Sequence, residues 1–172
     1  MKERKPNKTF SRAEISRRVK VLGKQIRADS GKGEILLIGI LKGSSVFLAD
    51  LLRSIQGQVH FEFIDVVQGV SDTGIAEAIQ ISYLTHFEME GKNIYLLKDV
   101  VSTGVIETYL LSQFRDRTQG EIKLVALLDR PRLRTVDLEV HYRAFEVGSG
   151  TFVGYGLEQN SKHGNLPYIG VV

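Results

Sequence analysis

The sequence predicts an α/β fold built around a mostly parallel sheet. Three observations point to it. Short, wholly apolar runs such as "ILLIGIL" (Ile35–Leu41) and "IKLVALL" (Ile122–Leu128) have the length and composition of strands buried on both faces. Between such runs lie segments whose apolar residues recur at intervals of three and four, the period of an amphipathic helix. Runs and helices alternate along the chain, which is the order of βαβ units.

Taken in order, "MKERKPNK" is locally basic and reads as a solvated tail. Ser11 and Glu14 form an S-x-x-E capping box, and Ile15, Val19, Leu22 and Ile26 line one face of the helix it opens. "DSGKG" (Asp29–Gly33) stops that helix, and Ile35–Ile40 is the first buried strand. Lys42-Gly43-Ser44 turns the chain into a second helix with Phe47, Leu48, Leu51, Leu52 and Ile55 inward. Val59–Val67 starts with the alternation of a half-buried strand. Gln68–Ala78, "QGVSDTGIAEA", is polar and glycine-bearing and is predicted to be a loop, with Ile79–Tyr83 a short strand pairing back. Ile94–Leu97 is a buried strand leading to a helix that runs to about Arg117. Ile122–Leu128, Val140–Val147 and Phe152–Tyr155 complete the predicted strands.

The 172 residues suffice for one domain with a sizeable core, here placed at about residues 10–145. A net charge of +3 does not call for nucleic acid and suits small phosphorylated ligands. With no cysteine there is no disulfide, thiolate metal site or thiol nucleophile. The longest apolar run is far too short to span a membrane, and no signal-peptide pattern opens the chain, so a cytoplasmic location is expected. His60, His86, His141 and His163 lack metal-binding spacing and read as surface or sheet residues.

In open parallel sheets, ligands collect at the carboxyl ends of the strands. The turns after Ile40, Leu97 and Leu128, and the segment after Tyr155, are therefore the places to search. In "LKGSS", Lys42 brings a cation, Gly43 allows close backbone approach, and Ser44 can cap the next helix. In "KDVVSTG", Asp99 is placed to accept hydrogen bonds from sugar hydroxyls. Ser102, Thr103 and Gly104 offer hydroxyls and amides at a helix start, a cradle for a phosphate monoester. A plain helix cap is the competing reading. "DRPRLRT" carries Arg130, Arg132 and Arg134, suited to forked recognition of oxygens or else a solvated charged loop. Glu158 is either a ligand to a hydrated divalent cation or a solvent-facing acid.

These segments together resemble the type I phosphoribosyltransferases, specifically the bacterial hypoxanthine phosphoribosyltransferases, over nearly the whole chain. "GILKGSSVFLADLLRSI" is similar to that family's pyrophosphate-loop segment. "LLKDVVSTG" stands at its phosphoribosyl diphosphate (PRPP) signature, "VALLDRP" at the segment that reads the purine, and "FVGYGLE" and "NLPYIGVV" at its terminal hood. The resemblance implies the type I phosphoribosyltransferase fold, with helices flanking the sheet and a small hood from the two chain ends. It implies transfer of phosphoribosyl from PRPP to hypoxanthine or guanine, with Mg²⁺ as cofactor. It places diphosphate at Leu41, Lys42 and Gly43, and ribose at Lys98 and Asp99. The 5′-phosphate falls at Ser102, Thr103, Gly104, Val105 and Ile106. The purine falls at Arg130, Thr151, Phe152 and Glu158, and the metal at Asp99 and Glu158. No nucleic acid or membrane partner is implied, and a homodimer or homotetramer is.

Departures from the family pattern cluster at the chemistry. Lys98 replaces the first acid of the ribose pair. Ser102 stands where an aspartate usually takes the purine's proton, and a hydroxyl without an activating partner is a poor base. Ile106 replaces a cradle threonine. Arg130 replaces a lysine, Thr151 the purine-stacking aromatic, Glu158 an aspartate and Gly164 an arginine. "VVQGVSDTG" lacks the Ser-Ser-Tyr of the mobile loop. Two readings follow: a purine phosphoribosyltransferase with weakened chemistry, or a relative that binds nucleotide or PRPP and serves as a regulatory or structural partner.

Overall fold

The computed structural model describes residues 6–70, 76–83 and 87–172. Helix α1 spans Arg12–Ser30 and opens on the predicted capping box. The Ser11 amide donates to the Glu14 carboxylate at 2.8 Å, and the Glu14 amide donates back to the Ser11 hydroxyl at 3.3 Å. Ile15, Val19, Leu22 and Ile26 are buried, as their spacing requires. Strand β2 (Ile35–Ile40) is buried at every position. Helix α2 covers Ser45–Ser54.

The main sheet also contains β3 (Val59–Val70), β4 (Ala76–Tyr83), β5 (Asn93–Val101), β6 (Ile122–Asp129) and β7 (Tyr142–Glu146). Its order is β4-β3-β2-β5-β6-β7. All neighbours are parallel except β4, which runs antiparallel to β3. Because side chains alternate along a strand, β2 feeds two cores. Ile35 and Leu37 pack with Phe47, Leu48 and Leu51 of α2 and the apolar face of α1. Leu36, Ile38 and Ile40 pack on the opposite side with Phe87, Met89, Leu110 and Phe114. Leu110 and Phe114 belong to helix α3, Val105–Arg115.

Several predicted boundaries move. The "tail" is partly structured: Asn7–Phe10 is strand β1, antiparallel to β9 (Ile169–Val171), which pairs with β8 (Phe152–Val153). The Phe10 ring stacks on Phe145 at 3.9 Å, and this packing holds a polar-looking segment in place. Gln68–Ala78 is not all loop, because β3 continues to Val70 and β4 begins at Ala76. Ladder hydrogen bonds to a partner strand carry polar residues further than local propensity suggests. Residues 71–75, within Gln68–Ala78, lie outside the described residues, as does His86. The strand assigned to Ile94–Leu97 continues through Val101, so Lys98 and Asp99 are strand residues rather than loop residues. The following helix ends at Arg115, short of Arg117. The last two strands shrink to Tyr142–Glu146 and Phe152–Val153. Among the described residues, no helix is long and apolar enough to cross a membrane.

Candidate active site

Parallel pairing sets the site. Gly39 lies opposite Leu97, and Val101 opposite Asp129, so β2, β5 and β6 deliver their following turns to one edge of the sheet.

The turn after β2 contains a cis Leu41–Lys42 peptide. Ser44 does not cap α2 with its side chain. Its buried hydroxyl instead donates back to the Ile40 carbonyl at 2.6 Å, closing the turn. Gly43 leaves room for the Asp99 side chain. A Cβ there would stand 1.9 Å from Asp99 Oδ2, so the carboxylate rests directly against the Lys42-Gly43 backbone.

Asp99 is a half-buried strand residue, and its neighbour Lys98 would ordinarily point to the other face. The long lysine stem brings Nζ back to 3.1 Å from Asp99 Oδ1. That approach is off the hydrogen-bond direction. Oδ1 is buried and takes no hydrogen bond among the described residues. The Lys98 ammonium offsets the charge of this buried oxygen, while its hydrogen-bonding capacity stays open to a ligand hydroxyl.

Past β5, Gly104 adopts φ +86° at the start of α3. Thr103 is exposed, and its hydroxyl accepts weakly from the Val105 amide at 3.5 Å. Val105 is exposed, whereas Ile106 packs against the α3-side core. The Ser102 hydroxyl has no partner among the described residues, so nothing there activates it. The Ser102 carbonyl accepts from Arg134 Nη1 at 2.9 Å. Glu107, in the first turn of α3, is buried. Burial pushes its carboxyl above the usual range, partly offset by Lys98 and Arg134.

After β6, Arg130 donates to the Gly150 carbonyl, and its guanidinium lies 5.1 Å above the Phe152 ring. Phe152 is buried and Thr151, just before strand β8 begins, is exposed. Arg132 is exposed on a short 3-10 turn, Pro131–Leu133. The segment after Tyr155 folds over the Lys42-Gly43 turn. A Cβ on Gly156 would come within 2.9 Å of the Gly43 carbonyl, and one on Gly164 within 2.7 Å of Glu158 Cγ. Glu158 thereby meets Lys42 at 2.6 Å. The Tyr155 hydroxyl donates to Asp50 at 2.7 Å and ties this segment to α2.

The structure thus brings Lys42, Gly43, Asp99 and Glu158 together, with the Ser102-Thr103-Gly104 turn following on the same strand. Two of the histidines lie elsewhere: His60 pairs with Glu34, and His141 Nδ1 accepts from the Leu124 amide. No group of three potential metal ligands forms among the described residues. Asp99, whose Oδ1 takes no hydrogen bond among the described residues, and Glu158 fit a hydrated Mg²⁺ held largely through ligand phosphates, once Lys98 and Lys42 give up their ion pairs to them. Sequence reasoning missed Glu107 and the inward role of Arg134. An acid in a first helical turn looks like an ordinary dipole partner, and only packing reveals its burial.

The chain is similar to known proteins over most of its length. The family described as the phosphoribosyl transferase domain matches residues 11–160. The hypoxanthine-guanine phosphoribosyltransferase of Bacillus subtilis is 35% identical over 163 residues, covering 95% of this chain and 91% of that protein. That of Streptococcus pyogenes is 32% identical over the same length. A crystal structure of a hypoxanthine-guanine phosphoribosyltransferase from Bacillus anthracis superimposes with a TM-score of 0.90 at 32% identity, covering 96% of this chain and 98% of that one.

Proposed function

This chain belongs to the phosphoribosyl transferase family, and on that premise we propose that it transfers the phosphoribosyl group of PRPP to hypoxanthine or guanine. The observation that supports this most is Asp99 resting against Gly43, with a buried oxygen that faces the Lys98 ammonium but takes no hydrogen bond among the described residues. A ribose carrying diphosphate at one end and phosphate at the other matches that arrangement. Its hydroxyls meet Asp99, its diphosphate the Lys42-Gly43 turn, and its 5′-phosphate the Thr103-Gly104 amides.

In the reaction the bond from the sugar carbon to diphosphate breaks as a bond to the purine nitrogen forms, and the purine loses a proton. Charge develops on the sugar carbon and the leaving diphosphate. Asp99 orients the hydroxyls, and Lys42 faces the leaving group once it parts from Glu158. Bound Mg²⁺ supplies further neutralisation of the diphosphate. Arg130, stacked on Phe152, presents its guanidinium to the purine side of the site. Ser102 occupies the position from which the proton is taken. Having no activating partner, it leaves proton transfer as the slow step.

The test is diphosphate release from PRPP with Mg²⁺ and hypoxanthine or guanine. Purine-dependent release is expected. Its complete absence, with nucleoside monophosphate still raising the melting temperature, would overturn the transferase reading and leave a nucleotide-binding protein that acts through a partner.

A further inference from the structure

Three groups beneath the phosphate turn are not used by the reaction above: Arg134, Thr135 and Asp129. Asp129 ends β6 and is 1% exposed. A carboxylate so buried is tolerated only when paired and hydrogen-bonded. Arg134 Nη2 donates to its Oδ1, and Arg143 Nη1 donates to its Oδ2 at 3.1 Å. The same Arg134 guanidinium spends its other arm on the Ser102 carbonyl at 2.9 Å. One residue on, the Thr135 amide donates to the Thr103 carbonyl at 3.0 Å. Side chains of this segment also close on Gly104, where a Cβ would meet Leu138, Arg134 and Val136 at 2.9 to 3.0 Å.

Two consecutive carbonyls of the turn are therefore pulled toward one loop. In a trans peptide unit the C=O and the next N–H point in opposite directions. Fixing the Ser102 carbonyl aims the Thr103 amide away from Arg134. Fixing the Thr103 carbonyl does the same for the Gly104 amide. Neither amide donates to a backbone carbonyl among the described residues. Both are left facing the side where a phosphate would sit.

We propose that Arg134 is a positioning residue for the 5′-phosphate: anchored on buried Asp129, it holds the Ser102 carbonyl so that the Thr103 and Gly104 amides face the ligand. This rests on the phosphoribosyl reading of the turn. It requires the fork of an arginine, because a lysine ammonium cannot present two parallel donors to a carboxylate and a carbonyl in one plane.

The test uses full-length wild type, Arg134→Lys, and the double variant Arg134→Met with Asp129→Asn, which removes the buried charge together with the arginine that reaches Ser102, leaving Arg143 its pairing with Glu146. Each is titrated with ribose 5-phosphate and followed by calorimetry and by the amide resonances of Thr103 and Gly104. Wild type is expected to bind, with both amides shifting. Arg134→Lys, with its melting temperature retained, is expected to bind about tenfold to a hundredfold more weakly. Its two amide resonances should be displaced before ligand is added. The double variant, which folds without an unpaired carboxylate, should show the same loss. Wild-type affinity with unaltered amide responses in either folded variant would overturn the positioning role while leaving the functional reading intact. Failure of wild type to bind ribose 5-phosphate would overturn both.

Discussion

Ser102 sits where strand β5 gives way to α3, in a reaction that must dispose of a purine proton. Its hydroxyl has no base beside it among the described residues, so the chemical step should be limited by proton transfer rather than by binding. Ser102→Asp is expected to raise kcat by about 10²-fold with KM for PRPP little changed, measured by diphosphate release. An unchanged kcat would place the bottleneck elsewhere. Glu107 makes a second argument at this scale. Its carboxyl is buried, and its pKa is raised by that burial. The folded state therefore holds the proton more tightly than the unfolded state. The contribution is most favourable below the unfolded value of about 4.3 and declines as pH rises through the folded value. Replacing Glu107 by Gln removes this decline. In urea unfolding at several pH values, the variant should gain stability relative to wild type as pH rises from about 4 to 8. A constant difference across that range would show that the carboxyl is not desolvated.

Elements bring the candidate groups to their working positions. β5 outruns its apolar stretch because β6 goes on supplying ladder partners as far as Val101, beyond Leu97 where pairing with β2 ends, and this carries Lys98 and Asp99 onto the sheet edge. α3 then starts on a glycine whose φ of +86° a side chain adopts only at a cost of about 1–2 kcal/mol. Gly104→Ala meets that cost and also pushes on Leu138 and Arg134, which would lie 2.9 and 3.0 Å from the new methyl. Gly31, with φ +57° and nothing within 4 Å, bears the backbone cost alone. Denaturant unfolding should show both alanine variants destabilised, Gly104→Ala the more. Only Gly104→Ala should lose affinity for ribose 5-phosphate. Equal ligand affinity in the two would mean that the α3 turn does not grip phosphate.

At the scale of the whole molecule, the proposed ligand contacts would be divided among β2, β5, β6 and the segment that follows β8. Binding should therefore stabilise the entire fold and not one loop. At a nucleotide concentration 100 times its Kd, linkage predicts about 2.7 kcal/mol of added stability. Calorimetric melting with and without inosine monophosphate measures this, and a melting temperature that stays put at saturation would remove the shared site.

Much of that architecture is legible from residue order. Capping box, helical spacing and two-faced apolar strands are local or nearly local signals, and each names its element without reference to the rest of the chain. The lysine, aspartate and Thr-Gly of the site also stand at readable distances from strand ends. What the sequence cannot express is which distant groups meet. Phe10 finds Phe145 and makes a strand of an apparent tail. Asp99 finds Gly43, and Glu158 finds Lys42. Arg134 turns inward to Asp129 while Arg132, two residues before it, stays in solvent. These choices depend on burial and charge compensation among segments remote in sequence. Such energies exist only once the sheet has set its strand order, so local pattern determined the elements and tertiary packing decided the site.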